Sequence, residues 1–193
     1  MAEVEPIRDF EDVKRMYNWL KVHASPREAE CWLIGCNLAL RAGDLLQLKF
    51  SQMSENHVTI IEQKTGKKKQ FPVNKEVRQA LVRLLAYYKS KNFKPTYLFQ
   101  STSNRMKGQR KPICIQWLGK ALKKASWDLE LGYNVNTHTM RKTWGFQAYE
   151  RGEDIHHIQA LFNHATSKVT LRYIGVTKRT IENMYHTNAL EIA

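Results

Sequence analysis

The sequence predicts a mostly α-helical fold with one small antiparallel sheet. Apolar residues recur at three- and four-residue intervals over most of the chain, the period of helices with one buried face. A single pair of short runs, HVTII at 57–61 and KKKQFPV at 67–73, reads as two strands joined by a turn. Hydrophobic residues make up 42% of 193 residues, enough to bury a substantial core without staples.

Residues 9–23 (DFEDVKRMYNWLKVH) carry Phe10, Val13, Met16, Tyr17 and Leu20 at helical spacing, with Asp9 placed to cap the start. Ser25-Pro26 opens a second helix, since proline suits a first turn. This helix runs through CWLIGCNLAL, which is apolar nearly all round and therefore belongs in a core. It is expected to end near Arg41-Ala42-Gly43, followed by a short helix, DLLQLKF. The two strands flank Glu-Gln-Lys-Thr-Gly, where Gly66 permits the turn. Asn74 caps a long amphipathic helix over 75–91, and 97–99 (YLF) is expected as a third strand. The segment 101–111 (STSNRMKGQRK) has four basic residues, no acidic ones and a glycine, so it reads as a basic loop. Helices are predicted at 112–127, 138–151, 154–163, 166–174 and 178–187, with Trp117, Trp144 and Phe146 as core residues.

Charge is the first departure from the average. Lys plus Arg number 31 against 18 Asp plus Glu, a formal net charge of +13. A positive field of that size attracts phosphates and fits a polyanionic partner. The three cysteines, Cys31, Cys36 and Cys114, form no CxxC pair, which argues against a disulfide framework or a zinc knuckle. They are expected to be small buried residues of a reducing compartment. The charged first 15 residues do not read as a secretory signal, and no apolar stretch reaches the ~20 residues that span a bilayer. A cytoplasmic protein with no membrane association is expected.

Several polar residues sit where a pure core pattern would not put them. Arg41 closes the most apolar helix, where a desolvated guanidinium needs an anion or a helix C-terminus. His138 and Arg141 are three apart and share a helix face. His164 follows Leu161-Phe162-Asn163 at the end of an apolar helix, and Tyr173 lies nine residues further on. Lys64 sits on the turn between the strands, with Lys67, Lys68 and Lys69 close by. Tyr149, inside a helix, reads as a packing residue, Tyr185 lies 21 residues past His164, and the pair His156 and His157 read as surface or structural.

These residues carry a resemblance. Leu38-Ala39-Leu40-Arg41-Ala42-Gly43-Asp44-Leu45-Leu46-Gln47-Leu48 resembles the first arginine box of the tyrosine recombinases, the phage integrase family. Lys64-Thr65-Gly66-Lys67 is similar to their hairpin lysine motif, and His138-Thr139-Met140-Arg141 to their H-x-x-R box. Asn163-His164-Ala165-Thr166 followed by Thr170-Leu171-Arg172-Tyr173 resembles the box that ends in the nucleophile. Order and spacing are kept, with His138 and His164 26 residues apart. The chain departs from the family pattern at Asn163, where glycine is common, at Lys142, where histidine is common, and at Ala42-Gly43-Asp44, where Ser-Glu or Thr-Glu is usual.

The resemblance implies the tyrosine recombinase catalytic-domain fold, one domain over 1–193. Family members usually also carry an N-terminal core-binding domain that closes a clamp around DNA, and here its absence is expected as a departure from the family. It implies Arg41, Lys64, His138, Arg141, His164 and Tyr173 as the catalytic set, and cleavage and rejoining of DNA through a 3′-phosphotyrosine bond, as in integration, excision or resolution of mobile elements. Lys67, Lys68, Lys69, Lys107, Arg110 and Lys111 are expected to contact phosphates, giving affinity without sequence choice. The expected partner is double-stranded DNA. The expected assembly is a homotetramer on DNA, built from a chain that is monomeric when free. No cofactor, ATP or metal is expected, because cationic side chains supply the charge that Mg²⁺ supplies in many nucleases. Two other readings share these residues: a type IB topoisomerase-like enzyme that relaxes one duplex, and a DNA-binding module of the same fold without turnover.

Overall fold

The helix that is apolar all round sits at the centre. This is α2 (Pro26–Leu38), which packs against α1 (Phe10–His23), α4 (Lys75–Ser90) and α6 (Thr137–Glu150) in a computed structural model that describes residues 3–103, 109–176 and 184–189. Its neighbours start where their caps predict. The Asp9 carboxylate accepts from the Glu11 N–H ahead of α1, and the Asn74 side chain from the Val77 N–H ahead of α4. Between them lie α3 (Ala42–Leu46), a 3-10 turn at Phe50–Gln52, and the hairpin β1 (His57–Ile61) and β2 (Lys68–Pro72). The strands pair antiparallel with Val58 opposite Phe71 and Ile60 opposite Lys69. Gly66, at φ 66°, makes the turn.

The second half is helical: α5 (Ile115–Asp128), α6, α7 (Ile155–Phe162) and α8 (Ser167–Tyr173). Asn136, Asp154 and Thr166 cap the last three. The main core draws on α1 to α6 and the hairpin. A smaller one joins Ala39, Phe146, Ile158, Phe162 and Ile174, and it seats α7 and α8 against α6. Gly145 makes that seat possible: an added Cβ would meet Phe162 Cζ and Ile174 Cγ2 at 2.7 Å each.

The structure corrects several expectations. α2 ends at Leu38, with Ala39 in the left-handed region at φ 52°, because the Ala39 carbonyl is taken by Arg141. Arg41 therefore leads into α3 instead of closing α2. The sheet has two strands, so Tyr97-Leu98-Phe99 is no third member. Its backbone is spent elsewhere: the Leu98 N–H donates to the Leu48 carbonyl, and the Phe99 carbonyl accepts from Ile113. That last bond also keeps Pro112 and Ile113 extended, so α5 starts three residues later than expected. Trp117 is 57% exposed, with its indole N–H on Glu28 Oε1 at 3.0 Å, whereas Phe146 is buried and Trp144 half-buried. Cys31 is buried and Cys36 half-buried, but Cys114 is exposed. Lys107 and most of the helix expected at 178–187 lie outside the described residues. Among the described residues no helix is long and apolar enough to cross a membrane.

Candidate active site

Arg141 is the pivot of the site. It is 2% exposed on α6, and its guanidinium lies 4.4 Å from the centre of the Phe162 ring. One terminal nitrogen donates to the Ala39 carbonyl and the other to the Phe162 carbonyl at 3.0 Å. Both acceptors stand at helix C-termini, α2 and α7, where unpaired carbonyls and the helix dipole favour a cation. Burial pushes the Arg141 pKa below its ordinary value.

Arg41 enters from the segment before α3 and pairs with Glu62 at 2.7 Å. Glu62 is buried at the end of β1, and its second carboxylate oxygen accepts from Thr65 Oγ1 at 2.7 Å. Burial acts against its charge, but the Thr65 and Arg41 hydrogen bonds hold the carboxyl below the usual range. Asp44, buried on α3, accepts the Gln63 N–H at 2.9 Å. The turn that carries Lys64 is thus tied to the Arg41 segment at two points. Lys64 itself is exposed, close enough for its charge to act on His138.

α8 brings Tyr173 to the same place. Its ring meets Phe162 edge-on at 5.5 Å and His164 at 4.9 Å, and the Lys142 ammonium lies 4.9 Å from its centre. Its hydroxyl is 3.5 Å from His138 Nδ1, the outer limit of a hydrogen bond. Burial raises the phenol pKa, and Arg141 and Arg41 pull the other way without reversing it. Burial, then Lys142 and Arg141, lowers the His138 pKa below the ordinary histidine value, so its ring is neutral at pH 7. A neutral imidazole beside an un-ionised phenol is an acid-base pair in the correct starting state.

His164 follows Asn163, which is left-handed at φ 52° and ends α7. Its Nδ1 is 3.1 Å from Thr170 Oγ1, and that hydroxyl also lies 3.2 Å from the Thr166 carbonyl. A hydroxyl has one proton to give. If Thr170 gives it to Thr166, His164 must carry its proton on Nδ1. If Thr170 gives it to His164, the proton moves to Nε2, free for an anion. Thr170 therefore sets the tautomer. We expect Thr170→Val to slow DNA cleavage by about 10-fold or more, as loss of an orienting bond does to a site held by hydrogen bonds. A single-turnover assay checks this, and an unchanged rate would remove Thr170 from the site.

Five of the six box residues, Arg41, His138, Arg141, His164 and Tyr173, are within mutual electrostatic or ring contact, and Lys64 stands at the edge. Of the residues expected to meet phosphates, Lys68, Arg110 and Lys111 are exposed. Lys67 is exposed too and donates to Asn163 Oδ1 at 2.9 Å, whereas half-buried Lys69 donates to the Leu161 carbonyl at 3.2 Å. Tyr149 packs on the smaller core, Tyr185 is 79% exposed, and His156 and His157 are exposed. The reading from sequence missed Glu62 and Thr170. Glu62 was accessible: Val58 and Ile60 face inward, and the strand period of two carries that face to residue 62.

The fold and this cluster of two arginines, two histidines and a tyrosine define a DNA strand-transferase of the tyrosine recombinase class. The model of the phage integrase family matches residues 8–180, and the chain belongs to that family. It is 31% identical over 187 residues to the probable integrase/recombinase YoeC of Bacillus subtilis, covering 96% of this chain and 97% of that protein. It is 29% identical over 142 residues to the tyrosine recombinase XerA of Pyrococcus horikoshii, covering 72% of this chain and 47% of that one. Among solved structures, the XerA recombinase superposes with a TM-score of 0.71 at 19% identity, over 99% of this chain and 66% of that one. A lambda integrase dimer bound to a COC′ core site gives 0.71 at 14%, over 100% of this chain and 53% of that one. The fold is shared with these structures, and the chain spans about half to two-thirds of their length.

Proposed function

We propose that the chain is a site-specific recombinase that cuts and rejoins double-stranded DNA through a phosphotyrosine bond at Tyr173. The observation that carries this reading is the Tyr173 hydroxyl facing His138 beside the two arginines. Attack of the phenol oxygen on a phosphodiester forms the Tyr173–phosphorus bond and breaks the bond to the 5′-oxygen. Charge grows on the non-bridging oxygens, which Arg41 and Arg141 receive with planar forks. An unperturbed phenol, at pKa ~10, is ionised about once in a thousand molecules at pH 7, a deficit of roughly 4 kcal/mol. Because burial raises that pKa further, the arginines alone do not ionise it. His138 takes the proton as general base, a contribution worth ~10²–10⁴ in rate. In the tautomer where Thr170 donates to His164 Nδ1, the His164 Nε2–H adds a donor to the phosphate, and Lys64 protonates the departing 5′-oxygen. The phosphotyrosine conserves the bond energy, so a 5′-hydroxyl can reverse the step without ATP.

Exchange between two sites needs more than one active site. The solved relatives include a lambda integrase tetramer bound to a Holliday junction, and this chain is read as assembling likewise on DNA. Lys68, Arg110 and Lys111, exposed on a chain of charge +13, suit the phosphate backbone. The test is covalent capture: incubate the protein with fragmented DNA, denature, isolate protein-linked strands and sequence them. The expected result is DNA attached to the peptide containing Tyr173, with no adduct from Tyr173→Phe. Adduct retained in Tyr173→Phe, or mapped to Tyr149 or Tyr185, would overturn the assignment.

A further inference from the structure

Three successive residues at the end of α7 each hold a cation. The Leu161 carbonyl accepts from Lys69 Nζ at 3.2 Å, the Phe162 carbonyl from Arg141 at 3.0 Å, and Asn163 Oδ1 from Lys67 Nζ at 2.9 Å. His164 comes next, and α8 with Tyr173 follows. Lys67 and Lys69 both come from the hairpin whose turn bears Lys64.

Lys69 is set apart from its neighbours by the strand period. It shares a face of β2 with buried Phe71 and lies opposite Ile60, whose side chain is also buried. Lys68 points the other way and is exposed. An ammonium on the inward face of a sheet loses hydration and must be compensated. Here the Leu161 carbonyl of α7 compensates it, together with Glu62 beyond β1 and Asp44 on α3, against the repulsion of Arg141 on α6 and Arg41 ahead of α3. A phosphate contact on an open surface would require none of this.

We propose that Lys69 is a positioning residue for the nucleophile: from the inward face of β2 it grips the end of α7, and so couples the hairpin bearing Lys64 to the turn that delivers His164 and Tyr173. The inference rests on the strand-transferase reading above. Two long-range requirements of the reaction, a donor for the 5′-oxygen and an aligned phenol, are then met by one rigid connection. A misplacement of about 1 Å between reacting groups costs on the order of 10² in rate, so the grip affects cleavage more than binding.

Burial, then Arg141, pushes the Lys69 pKa down to about 8. Below that pH the ammonium makes a charge-assisted bond to Leu161. As pH rises through it, the neutral amine makes a weaker one, and the grip loosens. Arginine at 69 stays charged throughout.

The experiment uses a duplex carrying the captured cleavage sequence, with single-turnover cleavage at saturating DNA and affinity measured against salt. Lys69→Met is expected to cut about 10- to 100-fold more slowly, with affinity and salt slope near the parent's. Lys69→Arg is expected to recover most of the rate and to move the alkaline fall in activity from near pH 8 to higher pH. This shift in Lys69→Arg still decides the matter if Lys69→Met fails to fold. An unchanged cleavage rate in Lys69→Met overturns the proposal. So does a loss confined to affinity with a salt slope reduced by ~0.9, which would make Lys69 a phosphate contact. So does an alkaline limb that stays in place in Lys69→Arg. Failure of the parent to form any Tyr173 adduct would strike the strand-transferase reading instead.

Discussion

Arg141→Lys is expected to lower the single-turnover rate of DNA cleavage by ~10²–10³-fold, although it keeps the positive charge. The reason is shape. The guanidinium of Arg141 spans two carbonyls from different helices, Ala39 of the α2 end and Phe162 of the α7 end, while its face lies against the Phe162 ring. A guanidinium has five N–H donors, so three remain for a scissile phosphate after these two bonds. A lysine ammonium has three donors at one point and cannot bridge both carbonyls and still offer a planar fork. Stability should fall too, because leaving one buried carbonyl without its donor costs ~1–3 kcal/mol. Thermal unfolding and covalent-adduct formation, measured side by side, separate the two effects. A variant that cleaves at the parent's rate would show that Arg141 holds the fold together and nothing more.

Gly145→Ala should destabilise the protein by ~1–3 kcal/mol, and Gly145→Val by more, because the site is already filled. In an open helix the alanine would be favoured by about 1 kcal/mol over glycine, so the sign of the result reports on packing. The atoms an added Cβ would strike are Phe162 Cζ and Ile174 Cγ2, both in the buried smaller core. Neither is the free end of a flexible chain. Phe162 is also the surface on which Arg141 and the Tyr173 ring rest. Pushing it away from α6 shifts the arginine and the nucleophile together, and a displacement of about 1 Å costs on the order of 10² in rate. Denaturant unfolding and adduct formation well below the melting temperature check both halves. Gly145→Ala more stable than the parent would contradict the packing argument.

Much of this molecule was readable before any coordinates. The caps at Asp9 and Asn74, the first-turn proline Pro26 and the turn at Gly66 start and stop elements by local chemistry, and each did so in the structure. The six box residues were picked out by their resemblance to the family's motifs, and five of them gather around the Tyr173 hydroxyl and the arginine pair. What failed was what depends on partners distant along the chain. The strand expected at 97–99 has strand-like residues, but its backbone groups are taken by residues 48 and 113. Trp117 lies on a predicted helix and was expected in the core, yet its ring is exposed while its indole N–H bonds buried Glu28, 89 residues away.

Local pattern alone therefore determined most of the helices, the hairpin and the basic character, because caps, turn residues and hydrophobic periods act over a few residues. Only the tertiary structure decided that α2 stops at Leu38, that Glu62 holds Arg41, and that Lys69 turns inward to the end of α7. Each of those outcomes depends on a carbonyl or carboxylate, buried or partly buried, that is matched with a cation from elsewhere in the chain. Which cation reaches it is settled by how helices and hairpin pack, a choice made between residues as much as 102 positions apart.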